Sequence, residues 1–142
     1  MATFTLIETD WAHDALRLSA VRRAVFIDEQ GVPEAMEWDE HDAVSVHWLA
    51  TSDDGTPIGC ARLLPDGHIG RMAVLPAWRG RGVGHALLAA AIDAAQTRGY
   101  TTLKLSAQTH AAAFYAQAGF IVVGDEYEEA GIPHVAMQMS LI

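Results

Sequence analysis

The stretch "WRGRGVGHALL", residues 78–88, decides how this chain is read. Arg79 to Gly84 place three glycines and two arginines in six positions, and the run then turns apolar and alanine-rich as "HALLAAAIDAAQTRGY". "IGRMAV" before it reads as a strand, and the alanine–leucine run has strong helix propensity. A glycine-rich link from strand to helix puts the unpaired N–H groups of a first helical turn where a ligand can reach them. Glycine keeps a Cβ out of the way, and the helix dipole favours negative charge there. Arg79 and Arg81 add donors, so the segment suits a pyrophosphate; the competing reading is a solvated turn. Two familiar phosphate loops are excluded. No Gly-Lys-Ser/Thr ending is present, and the sixth place of the dinucleotide fingerprint is His85 counted from Gly80, or Leu87 counted from Gly82.

Working outward, "FTLIE" reads as a first strand. Asp10 caps a helix running to about Gln30, with Trp11, Ala15, Leu18, Val21 and Val25 on its apolar face and Gly31 and Pro33 as its stop. Residues 45–76 hold three strand-like runs separated by the turn signals "DDGT" and "PDGH", an antiparallel meander. The alanine-rich helix ends at Gly99, and "TTLKLSA" follows as a strand. "HAAAFYAQAGF" is a short helix closed by Gly119, and "FIVVGDEY" and "HVAMQMSL" are the last strands. The order β–α–βββ–α–β–α–ββ predicts an α+β domain over residues 1–142. Its sheet has about seven strands, mostly antiparallel, with one parallel crossover in the middle.

Bulk properties narrow the function classes. The chain has 142 residues, is 51% hydrophobic and 19% charged, and carries a formal net charge of −9. That length suits one domain, which buries about 70% of its unfolded surface. The acidity, with Lys104 the only lysine, argues against nucleic acid and anionic membranes and permits a cationic amine. No apolar run reaches the roughly 20 residues of a membrane helix. "MATFTLIETDW" lacks the features of a signal peptide, so a cytoplasmic location is expected. Cys60 is the single cysteine, which fits a reducing compartment and reads as a small buried hydrophobe. The seven histidines carry no zinc spacing, so no metal is expected.

Arg79, Gly82 and Gly84 match the Arg/Gln-x-x-Gly-x-Gly/Ala signature of the GNAT superfamily of acyl-CoA-dependent N-acyltransferases. The strand "RMAVLP" and the segment "FYAQAGF" sit where that family has its cofactor strand and its tyrosine helix. "VFIDEQGVPEAMEWDEHD", "AQTHAAAFYAQAGF" and "EEAGIPHVAM" resemble the ElaA-like branch. The likeness runs through almost the whole chain.

The resemblance implies acetyl-CoA, or another acyl-CoA, lying in a gap between two splayed parallel strands, "GRMAVL" and "TLKLSA". The backbone of Met72, Ala73 and Val74 would pair with the pantetheine arm, and an N–H at or beside Met72 would polarise the thioester oxygen. The amides of Gly80, Arg81, Gly82, Val83 and Gly84, with the Arg79 and Arg81 side chains, would take the pyrophosphate. His110 stands where many relatives have an asparagine that contacts pantetheine, a departure that leaves the role of His110 open. Tyr115 is the expected proton donor to the leaving thiolate; the bland alternative is a core tyrosine. Glu34, Glu37, Asp39, Glu40 and Asp42 form one acidic run and Asp125, Glu126, Glu128 and Glu129 another, both flanking the acceptor side. The expectation is segregated charge, arginines toward the cofactor and carboxylates such as Glu37 and Asp39 toward a small cationic amine. The base stays open between His134 and a carboxylate reached through water. Three other readings compete: a non-catalytic acyl-CoA-binding module, a covalent acyl carrier on Cys60, and transfer from a different acyl-CoA. A homodimer is compatible with all of them.

Overall fold

The computed structural model describes residues 3–142. Met1 and Ala2, which open the stretch read for a leader, lie outside the described residues. Among these residues a single eight-stranded sheet carries the fold, in the order β1-β2-β3-β4-β5-β8-β6, with β7 paired to β8. β1 (Phe4–Thr9), β2 (Val46–Ser52), β3 (Pro57–Leu63) and β4 (His68–Val74) are antiparallel neighbours, as the turn signals require. β4 and β5 (Thr102–Gln108) form the one parallel pair, and β8 (Ile132–Ser140) runs antiparallel to β5.

Helices cover both faces. α1 (Trp11–Arg22) starts at Asp10, whose carboxylate accepts from the His13 N–H at 2.9 Å. It buries Leu18 and Val21, with Val25 beyond its end, against Leu49, Cys60 and Ala73. α3 (Val83–Thr97) buries Val83, Leu87, Leu88 and Ala91 on the opposite face, against Trp48, Ile58, Leu63, Leu103 and Leu105. A Cβ on Gly59 would lie 2.9 Å from Val83 and 3.3 Å from the Ala73 carbonyl oxygen, so only glycine lets α3 settle this close to β3.

Three details depart from the expected elements. The first helix does not run uniformly to Gln30: a π-helical turn, Arg23–Glu29, follows α1, and the short α2 (Glu34–Glu37) comes after Pro33. The Gln30 N–H reaches back to the Val25 carbonyl at 3.1 Å, a wider turn than an α-helix makes. The penultimate strand is split into β6 (Ile121–Val122) and β7 (Tyr127–Glu129) around Gly124 (φ 90°), which gives eight strands rather than seven. α4 (Ala112–Gln117) is shorter than read, preceded by a 3-10 turn at Thr109–Ala111.

The feature that shapes the site is a bulge in β4. Arg62 pairs with Gly70 and Cys60 with Ala73, so β4 spends three steps where β3 spends two. Arg71 takes up the extra residue at φ 46°, in the left-handed region. A bulge bends and twists its strand. β4 pairs with β5 only at His68↔Lys104 and Ile69↔Leu105, and beyond these positions the two parallel strands part.

Candidate active site

The parting of β4 and β5 opens a cleft of about 1260 Å³. Gly80, Gly82 and Gly84 line one end, Met72, Ala73 and Val74 its strand wall, Phe114 and Tyr115 its helix wall, and Glu37, Arg62, Glu129 and His134 the other end. Residues read from distant parts of the sequence therefore meet in one space.

At the first end, Gly82 caps α3 at φ 86° and Gly80 sits at φ 75°, conformations that L side chains adopt at a cost. No atom lies within 4 Å of a Cβ built on either, so the loop leaves open space over the helix mouth. Gly84 differs: its Cβ would touch the Phe114 ring at 3.4 Å, so this glycine serves helix packing. The Ala86 N–H closes the first turn onto the Gly82 carbonyl at 3.0 Å, and the amides of Val83, Gly84 and His85 precede that bond. Such an arrangement can cradle an anion. Arg81 is exposed, with its guanidinium 5.1 Å from the Trp78 ring centroid. Arg79 is engaged within the protein, its Nε donating to the Val74 carbonyl (2.9 Å) and its two terminal nitrogens to Glu29 (2.8 and 2.6 Å). Its side chain ties the loop to the π-helical turn.

Tyr115 is partly buried, edge-on to Phe114 (5.1 Å) and Phe120 (6.2 Å). Burial pushes its phenol up to about 12. It holds its proton throughout the neutral range. His110 is exposed on the 3-10 turn and also lines the cleft.

At the far end the structure corrects the expectation of an unpaired carboxylate ring. Glu37 and Asp42 are only 3% and 2% exposed, and three arginines from other elements lie among the carboxylates. Arg22, itself 1% exposed, donates to Glu37 Oε2 (2.8 Å) and Asp42 Oδ1 (2.6 Å). Arg62 bridges Asp39 (2.7 Å) and Asp42 (3.0 Å), and Arg71 lies against Glu37 (3.0 Å) and Asp39 (3.2 Å). Three cations thus face three anions. Arg71 also donates to the Glu37 carbonyl, so the cluster clamps the β4 bulge in place. Burial raises the Glu37 pKa despite the arginines. For Asp42 burial acts the same way, but hydrogen bonds from Arg22 and Arg62 outweigh it and hold the carboxyl below its ordinary range. Glu34 pairs with Arg23 at 2.6 Å. The acidic connection around β7 is different, for no arginine or lysine among the described residues pairs with Glu128 or Glu129.

Residues that the sequence reading passed over also meet in the cleft. Gln30 and Gln108 exchange two amide hydrogen bonds (3.2 and 2.8 Å) from the π-helical turn to the end of β5. Arg62 had left a signal: an arginine inside the apolar strand "IGCARLL" has to be paired or exposed. Its Nε is buried without a hydrogen-bond partner. Cys60 offers no acyl-carrier chemistry. It is 2% exposed, does not line the cleft, and burial pushes its thiol up to about 12. Among the described residues no group of three or more His, Cys, Asp or Glu side chains is placed to hold a metal ion, and no helix is long and apolar enough to cross a membrane.

The glycine cradle, the bulged strand beside a single parallel pair and the tyrosine on the following helix occur together, and comparison with known proteins agrees with them. The Acetyltransferase (GNAT) domain model matches residues 12–141. The chain belongs to the GNAT acetyltransferase family. An uncharacterized protein of Bacillus subtilis, YyaT, is 35% identical over 130 residues, 88% of this chain and 86% of that one. Protein ElaA of Escherichia coli is 33% identical over 88% of this chain and 86% of its own length. The crystal structure of ElaA superposes with a TM-score of 0.84, covering 99% of this chain and 100% of the other. An acyl-CoA N-acyltransferase from Pseudomonas aeruginosa is 33% identical with a TM-score of 0.87, over 97% of this chain and 100% of that one. These likenesses place the protein in the ElaA-like branch of the GNAT family.

Proposed function

We propose that this GNAT protein transfers an acetyl group from acetyl-CoA to a small primary amine, by direct attack within a ternary complex in the cytoplasm. The carrying observation is the single cleft that joins the anion cradle at the mouth of α3 to the parted strands and to Tyr115. The amides of residues 80–84 and Arg81 would hold the pyrophosphate, with Arg79 bracing the loop through Glu29. Met72, Ala73 and Val74 lie on the strand that β5 leaves unpaired, so their backbone is available to the pantetheine arm. An N–H at Met72 or its neighbour would stabilise the oxyanion of the tetrahedral intermediate.

The amine nitrogen attacks the thioester carbon, the C–S bond breaks, and the departing sulfur takes the Tyr115 proton. A phenol held protonated by burial is suited to that moment, since a thiolate leaving without a proton is the costly species. For a cationic acceptor, the carboxylates near β7, which no arginine or lysine among the described residues pairs with, supply the attraction, with Glu129 lining the cleft. Glu37 and Asp39 shape the acceptor end from inside their ion cluster.

The test is direct. The protein is incubated with acetyl-CoA and a panel of primary amines, thiol release is followed, and the product is identified by mass. Acetylated amine with stoichiometric CoA supports the reading. Acetyl-CoA binding without thiol release from any amine would leave a binding module in its place.

A further inference from the structure

We infer that His134 is the general base that takes the proton from the acceptor amine, an assignment that rests on the acyl-transfer reading above. His134 is 6% exposed and lines the cleft. Its Nδ1 lies 2.7 Å from the Ile132 carbonyl oxygen. A carbonyl can only accept, so Nδ1 carries the hydrogen and Nε2 of the neutral ring carries the lone pair. The backbone of the same strand thereby sets the tautomer a base needs.

The position fits the task. In the sheet register His134 stands opposite Gln108 on β5 and opposite Tyr127 on β7, so the three side chains share one face. That face is the one on which Gln108 meets Gln30 and on which the Tyr127 hydroxyl is hydrogen-bonded to Ser106. The Tyr127 ring stacks on the imidazole at 6.0 Å between centroids and 24° between planes, which limits ring rotation. Glu129 Oε2 lies 3.7 Å from Nε2 and is more than half exposed, so an imidazolium formed there has a counter-charge and a route to solvent. Tyr115, the proposed acid, lines the same cleft from α4. Glu37 also lines it, but its two ion pairs, to Arg22 and Arg71, both fall on Oε2, and protonating it would break a buried ion cluster that holds the β4 bulge.

The protons balance. His134 Nε2 takes one proton from the ammonium and passes it through the Glu129 side to water. The neutral nitrogen then bonds to the carbonyl carbon, and its second surplus proton, strongly acidic on the cationic adduct nitrogen, passes to water. The sulfur leaves with the proton of Tyr115, which water restores. One proton is released per turnover.

The experiment compares two acceptors with acetyl-CoA as donor: ethanolamine, protonated at neutral pH, and hydroxylamine, already neutral there. His134→Asn keeps a donor toward the Ile132 carbonyl and removes the base. The expected result is a loss of about 100-fold or more in kcat/KM with ethanolamine and a loss of less than about tenfold with hydroxylamine, which needs no first deprotonation. Equal losses with both acceptors, or none with ethanolamine, would overturn the assignment. A second measurement needs no variant and no acceptor. Diethyl pyrocarbonate acylates an unprotonated ring nitrogen, and mass mapping should find His134 modified in the native protein and protected by acetyl-CoA. A His134 that stays unmodified, or reacts equally fast with acetyl-CoA bound, overturns the base while leaving acyl transfer standing. Calorimetry showing no acetyl-CoA binding overturns both.

Discussion

The two ends of the cleft are built on opposite principles. The cradle at the mouth of α3 is exposed, made of main chain, and drawn from consecutive residues. The cluster at the other end is buried, made of charged side chains, and drawn from positions 22, 37, 39, 42, 62 and 71. The first can change its ligand contacts at little cost to the fold. The second is welded to the fold, because Arg22, Glu37, Asp42 and Arg62 have given up water and depend on one another, with Asp39 and Arg71 half-buried at the edge. One end is therefore expected to fail in binding and the other in stability.

The largest effect should come from the buried cluster. Arg22→Met removes the cation between Glu37 and Asp42, which lies 5.3 Å from the Trp11 ring centroid and 5.1 Å from that of Trp38. Losing a buried cation, which leaves Glu37 only Arg71 and Asp42 only Arg62, costs about 3–5 kcal/mol, and chemical denaturation reads it. A loss under about 1 kcal/mol would mean that water reaches the cluster. Tyr115→Phe sharpens the contrast from the middle of the cleft. Turnover should fall about 10²–10⁴-fold while acetyl-CoA affinity and melting temperature hold; full turnover with chemistry rate-limiting removes the acid role.

At the cradle, Gly82→Val should spare the fold and weaken CoA binding tenfold or more on the order-of-magnitude scale, read by calorimetry. Its Cβ has open space around it, but a side chain there strains a left-handed cap and occupies the ligand's approach. Unchanged affinity would retire the cradle. Arg79→Met should have a milder effect, since its guanidinium braces Glu29 rather than facing the open loop.

The smallest effect is the pH response of the buried end. His47 is buried beside the cluster, its Nε2 donating to the Asp42 carbonyl at 2.9 Å, and burial pushes its pKa down from 6.5. The unfolded chain therefore binds the proton first. The stability His47 contributes is complete above pH 6.5 and is lost as pH falls below it. Glu37, raised from 4.5, acts in the opposite sense lower down, and Asp39 and Asp42, lowered from 3.8, lose their contributions only in stronger acid. The melting temperature should drop by a few degrees between pH 7.5 and pH 5.5, on the usual order of such shifts, and His47→Gln should flatten that slope.

Much of this protein is legible in its sequence, and the legible parts share a property. The meander, the alanine-rich helix, the Asp10 cap and the residue 79–84 loop all depend on neighbours a few positions away. Local spacing and turn chemistry determine such features. Tyr115 stands apart, because the residues alone read as a core tyrosine and only the family resemblance points to a proton donor.

What only the tertiary structure decided is what distant residues do to one another. In the chain, the acidic run at residues 34–42 stands without an arginine, and the natural reading is a free negative wall. Folding carries Arg22, Arg62 and Arg71 into it, because a buried carboxylate must find a cation or lose its charge. Arg79 looks like a ligand residue in sequence and becomes a brace only when the π-helical turn brings Glu29 beside it. The left-handed Arg71, and with it the parting of β4 from β5, depends on those same long-range contacts. Sequence determined the parts of this GNAT-family protein whose physics is local, and the tertiary structure decided the charge of its cleft, since Coulomb energy depends on distance in space rather than along the chain.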